Sequence, residues 1–154
     1  DAAARQVQGR FNKLGASLAY LQPLGGAWRA SAALRGQLAD KNLDSTERFS
    51  LGGPSGVRAY PVGEATGDQG WTFSADLVRQ LNDATELGVF VDHGRIQLNH
   101  QTWTGWNAGQ PALDNRYALS AAGLTAVWPE LSAKLQTFRR VQAEKVLAMK
   151  LPEV

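Results

Sequence analysis

Apolar and polar residues alternate along the chain in successive runs. In the first, Phe11 to Leu24, one side carries Leu14, Ala16, Leu18 and Tyr20 and the other Lys13, Gly15, Ser17 and Ala19. A period of two marks a strand with unlike faces, because successive side chains leave a pleated backbone on opposite sides. Pro23, Gly25 and Gly26 end the run in a turn. The next run sets Trp28, Ala30, Ala32, Leu34 and Leu38 against Arg29, Ser31, Arg35 and Gln37. The short Gly turn between the two runs predicts an antiparallel hairpin. A face of Arg, Gln and Ser suits water or a lined cavity better than a packed core.

Alternation returns at Trp71, where Trp71, Phe73, Ala75, Leu77 and Leu81 oppose Thr72, Ser74, Asp76 and Gln80. Asn82 to Thr85 is a short turn. In ELGVFVDHGRIQLN, Leu87, Val89 and Val91 oppose Gly88, Phe90, Asp92 and Gly94. Asp92 sits in mid-strand, where a buried carboxylate needs water or a cation. Gln101 to Asn115 reads as an exposed loop. Tyr117 to Trp128 is a strand whose register stays open, since both faces are apolar. Ser132 to Arg140 fits one more strand, and FRRVQAEKVLAMK fits an amphipathic helix as well, so 138–154 stays an unassigned tail. The fold expected is all-β, an antiparallel meander of about six strands.

Between Asp40 and Gly70 the pattern lapses for about thirty residues, longer than an unstructured connection in a compact domain. Inside it lies RFSLGGPSGVRAYP, from Arg48 to Pro61. Gly52, Gly53 and Gly56 open backbone angles closed to other residues, and Pro54 fixes its own φ. The stretch reads as a shaped loop that carries Arg58 and Tyr60 to a specific place.

Composition narrows the classes. The 16 Lys and Arg nearly balance the 14 Asp and Glu, and no basic run forms a nucleic-acid stripe. With no cysteine there is neither a disulfide framework nor a thiolate metal site. No stretch approaches the ~18 apolar residues of a spanning helix, which leaves open a β-barrel, whose strands look mild in hydropathy. DAAARQVQGRF lacks the regions of a signal peptide. Asp92, His93, His100 and Asp114 are the one cluster that hints at a metal or acid–base site. His93 should point away from Asp92 on a strand, so no metal, cofactor or catalytic residue is expected. His93 is expected near a membrane rim.

Gly36 to Trp71, FSADLVRQL, GVFVDHGRI and, more loosely, YALSAAGLTAVW together resemble the outer-membrane transporters of two-partner secretion. These are the haemolysin-activator (TpsB) type within the Omp85 superfamily. The resemblance rests on a strand, a long loop with a Val-Arg-Gly-Tyr motif, a strand after Gly-Asp and a strand with Phe-x-Asp-x-Gly, in that order. It implies a transmembrane barrel of about sixteen strands, of which 1–137 would be a C-terminal part. The long loop, about 40–70, folds inward. POTRA domains and the remaining strands would belong to the same protein. It also implies a secreted haemolysin- or adhesin-like exoprotein as partner, moved unfolded across the outer membrane, with the outer-membrane lipid around the barrel.

Carried over by motif, Arg58 should meet Asp92 on the inner wall, with Gly52, Gly53, Val57, Tyr60, Phe90 and Gly94 shaping and packing the pair. An arginine fork suits a carboxylate through parallel hydrogen bonds. Ala59 replaces the motif glycine, so a positive φ there would be strained. Two other readings stand beside this one: an Omp85-type outer-membrane assembly factor, and a soluble β-sandwich binding module using a Trp103/Trp106 loop.

Overall fold

The computed structural model describes residues 7–110 and 114–128. The strand or helix expected after Ser132, and the tail 138–154, lie outside the described residues. Each alternating run before them is a strand. In chain order they are β1 (Lys13–Gly25), β2 (Trp28–Ala39), the two-residue β3 (Phe49–Ser50) and β4 (Thr66–Gly67), β5 (Gln69–Gln80), β6 (Glu86–Gln97) and β7 (Arg116–Val127). The five long strands form one antiparallel sheet in the order β1-β2-β5-β6-β7, and β3 pairs with β4 apart from it.

Turn chemistry explains the hairpins. Gly26 and Ala27 both have positive φ, 56° and 70°, the hand that suits the twist of two strands joined by a two-residue turn. Between β5 and β6 the Asn82 side chain accepts hydrogen bonds from the backbone N–H groups of Ala84 and Thr85, at 2.9 and 2.8 Å. A short polar side chain thereby replaces the backbone partners a tight turn lacks.

Register then decides what each face carries. Ser31, Asp76, Phe90 and Gly123 lie side by side across four strands, and the next inward row is Ala33, Ser74, Asp92 and Ala121. The third row is Arg35, Thr72, Gly94 and Leu119. The register of the last strand, open in the sequence, is thus fixed by β6: Leu119, Ala121 and Gly123 point inward and Leu124 outward. Arg29 and Glu86 fork together on this inner face at 2.6 Å, reaching across β5.

The opposite face carries Leu14, Leu18, Leu34, Phe73, Val89, Val91 and Leu124, all exposed. A β-sandwich would bury such a face against a second sheet. Here the core instead forms on the polar face: Phe49, Leu51, Val57 and Ala65 from the 40–68 connection pack against Ile96 of β6 and Leu119 of β7. An apolar outside and a polar, loop-filled inside are the faces of a barrel wall. The sheet is open, with β1 and β7 at its edges among the described residues. It is a section of a β-barrel with a long loop folded inward.

Candidate functional site

The loop holds its own shape before it meets the wall. Asp44 caps a 3-10 turn at Ser45–Glu47 by accepting from the Thr46 N–H. After β3, the Leu51 N–H donates to Ala65 O at 2.8 Å, the Val57 N–H to Leu51 O at 2.9 Å and the Gly53 N–H to Tyr60 O at 2.9 Å. Gly53 needs its freedom, with φ at 99°. A Cβ on Gly52 would stand 2.3 Å from Pro61 O, so only glycine lets the two chain segments close there. Ala59 is not among the residues with positive φ, and its side chain is exposed. The strain expected at this position is therefore absent, and alanine fits where the motif has glycine.

This shape carries Arg58 onto β6. Its Nε donates to Asp92 Oδ2 at 2.9 Å and its Nη2 to Asp92 Oδ1 at 2.7 Å. The Arg58 backbone N–H adds a third bond to Oδ2 at 3.0 Å. The Asp92 side chain is fully buried, and that of Arg58 keeps 27% of its exposure. The remaining arm, Nη1, donates to Asp76 Oδ1 of β5 at 2.6 Å. One guanidinium therefore ties the loop to two neighbouring strands. Hydrogen bonds to Asp92, and then to Asp76, raise the pKa of Arg58 above its ordinary value, so the group stays charged throughout.

The other motif residues surround this contact. Phe90 lies beneath the guanidinium, whose Cζ is 4.0 Å from the ring centroid, a distance at which the ring face attracts a cation. Val57 is fully buried in the loop–wall core and Tyr60 packs against that core. Gly94 leaves room beside the carboxylate, and the Leu51 side chain fills it. A Cβ on Gly94 would lie 2.4 Å from Leu51 Cδ1 and 3.0 Å from Trp71 O. Arg35 adds a further tie from the wall, donating to Ser55 O at 2.7 Å.

A second anchor, which sequence reasoning missed, holds the root of the loop. The Asp68 side chain is fully buried and accepts from Arg48 Nε at 3.2 Å, the Leu43 N–H at 3.2 Å and the His100 N–H at 2.9 Å. Arg48 also donates to Leu98 O. Asn42 and Gln101 exchange a pair of bonds, Nδ2 to Gln101 O at 2.9 Å and the Gln101 N–H to Oδ1 at 2.8 Å. These contacts join the long loop to the β6–β7 connection. Asp68 was visible only as the Gly-Asp that precedes a strand, and nothing local showed that three donors converge on it.

The four residues considered as a metal or acid–base cluster are apart. His93 faces outward, 5.4 Å from the Trp71 ring, with Nδ1 2.8 Å from Ser120 Oγ. The His100 backbone serves Asp68, and Asp114 accepts from the Arg116 N–H at 3.1 Å. Trp103 and Trp106 are half-buried in a turn closed by a 3.1 Å backbone bond, less exposed than the sequence suggested.

Residues 1–113 match the family model described as haemolysin secretion/activation protein ShlB/FhaC/HecB. The chain belongs to that family. It is also 37% identical over 93 residues to the heme/hemopexin transporter protein HuxB of Haemophilus influenzae strain Rd, and equally to that of strain 86-028NP. A third Haemophilus influenzae HuxB is 35% identical over the same length. The matched region is 58% of this chain and 16% of each relative. The chain thus spans a small part of the length of the HuxB relatives it matches. No solved structure matches it. Members of this family are two-partner secretion transporters of the bacterial outer membrane, which gives the exposed apolar face its surroundings and the inward loop its lumen.

Proposed function

We propose that this segment is the loop-bearing part of a transporter that moves an unfolded exoprotein across the outer membrane. The observation that carries the reading is the loop clamped inside the wall by Arg58, on a face that also carries Arg29, Ser31, Arg35, Thr72, Ser74 and Asp76. A loop so placed occupies the lumen and sets what space a passing chain has. Its polar surroundings offer hydrogen bonds to an extended backbone without burying its side chains. The wall and the clamp bind and position; no reaction is catalysed and no cofactor takes part. Folding of the exoprotein outside the cell supplies the direction of travel.

The partner is a secreted exoprotein of haemolysin or adhesin type, delivered through POTRA domains of the same transporter. The matched relatives are named for heme and hemopexin, which makes a haem-acquisition exoprotein the other cargo class to test. Family membership supports the secretion branch over an assembly factor that inserts other barrels.

The test is Arg58→Ala and Asp92→Ala in the full-length transporter, reading exoprotein secretion and single-channel conductance together. Both variants should change conductance and lower secretion. Wild-type secretion with wild-type conductance in both would remove the clamp from the mechanism.

A further inference from the structure

The outward face has a feature that neither the clamp nor the conduit uses. Both short turns, at Gly26–Ala27 and at 81–85, lie at one end of the sheet, and both long connections, 40–68 and 98–115, lie at the other. Outer-membrane barrels keep short turns on the periplasmic side and long loops outside. The long-loop end is therefore the end in the outer leaflet. There the apolar face is interrupted by a furrow of about 430 Å³. Ala16 and Gly36 form its floor, and Leu14, Leu38 and Trp71 its apolar walls.

Arg95 and Arg116 stand at the β6–β7 end of this furrow, Arg95 in the same cross-strand row as Ala16, Gly36 and Trp71. Arg95 pairs with Ala118 and Gln97 with Arg116, so the two arginines are diagonal neighbours on the outward face. Such positions are roughly 7–8 Å apart. Both are exposed, and neither guanidinium has an ion pair among the described residues. The nearby amides are already engaged: Gln69 donates to Ala39 O, and Gln97 to Asn99 O and His100 O. Asp114 turns its Oδ1 to the Arg116 N–H. Two forks at one end of an apolar furrow match one chemistry, a phosphate headgroup with an acyl chain laid along the furrow.

We propose that this furrow is a binding site for the phosphorylated glycolipid of the outer leaflet, with Arg95 and Arg116 on its phosphate and an acyl chain along Leu14, Leu38 and Trp71. The site rests on the outer-membrane placement and not on the transport reading. Its occupant would brace all five long strands, β1, β2, β5, β6 and β7, from outside at the level where the root of the loop is anchored inside.

The full-length transporter in non-ionic detergent is titrated with lipid A, with its phosphate-free form and with inorganic phosphate, and retained adducts are read by native mass spectrometry. Lipid A should be retained at least about tenfold more tightly than the phosphate-free form. Arg95→Gln with Arg116→Gln should abolish that preference, while Arg79→Gln at the other end leaves it intact. Gly36→Leu should weaken lipid A binding without touching a charge, since a Cβ there meets nothing closer than 3.5 Å. Heat-modifiable gel mobility checks folding, and if the double variant misfolds, Gly36→Leu decides. Equal retention of lipid A by wild type and Gly36→Leu, or by wild type and a folded double variant, overturns the site. So does equal binding of the phosphate-free lipid, competition by inorganic phosphate alone, or a dimer that excludes lipid. Exoprotein secretion measured on the same variants keeps this outcome separate from the fate of the transport reading.

Discussion

The two carboxylates that meet Arg58 differ in what they stand to lose. Asp92 is fully buried and takes three bonds from Arg58, whereas the Asp76 side chain keeps 22% of its exposure and takes one. Removing the cation leaves Asp92 charged and shielded from water, which costs about 3–5 kcal/mol. Removing the Asp76 charge leaves Arg58 paired and costs about 1 kcal/mol. Hydrogen exchange at the loop amides of Leu51, Gly53 and Val57 in the full-length transporter should follow that order. Protection should fall strongly in Arg58→Ala and slightly in Asp76→Asn. Arg58→Lys should lie between the two, because an ammonium still offsets the Asp92 charge but cannot fork onto that carboxylate while reaching a second. Equal loss in Arg58→Ala and Asp76→Asn would contradict this division.

The elements behave as two kinds. The long strands were legible because period-two alternation is written locally, and each predicted boundary lies within a few residues of the observed one. The meeting of Arg58 with Asp92 was legible only through the motif that both residues carry. Asp76 escaped that reading although it sits on the polar face of its run, because its place beside Phe90 depends on the register between β5 and β6. β3 and β4 escaped for a similar reason: two residues are too few to show a period. The loop root depends wholly on distant partners, as in Asn42 with Gln101. These tertiary contacts allow separate tests. Gly94→Ala should push Leu51 out of its seat and raise exchange around Leu51 and Val57, with the Asp68 cluster still protected. Asp68→Ala should do the reverse, loosening 42–48 and 98–101 while the tip stays docked. Limited proteolysis and exchange mapped over these segments would show whether tip and root open independently. Joint opening in either variant would make the loop one unit.

At the scale of the whole molecule, the interior is not where a soluble protein of this composition would put it. Leu and Val residues of the strands face outward to lipid, and the buried apolar cluster belongs to a loop and two strand ends. Detergent exchange should therefore leave the loop–wall core intact while disturbing the outer face, whose apolar side chains have no protein partner. Tryptophan fluorescence offers a check. Trp28 and Trp71, on the outer face near opposite ends, should be quenched by brominated detergent, and Trp106, half-buried in the β6–β7 connection, should be shielded. Quenching of Trp106 ahead of the other two would reverse the assignment of faces. The same placement has a thermal consequence. Withdrawing the loop from the lumen wets Phe49, Leu51, Val57 and Ala65 together with their seats on Ile96 and Leu119. Hydration of apolar surface raises heat capacity. If the proposed conduit opens by this withdrawal, its equilibrium should curve with temperature, its enthalpy growing as the membrane warms. Conductance recorded across a temperature series would reveal the pore as a thermosensitive valve.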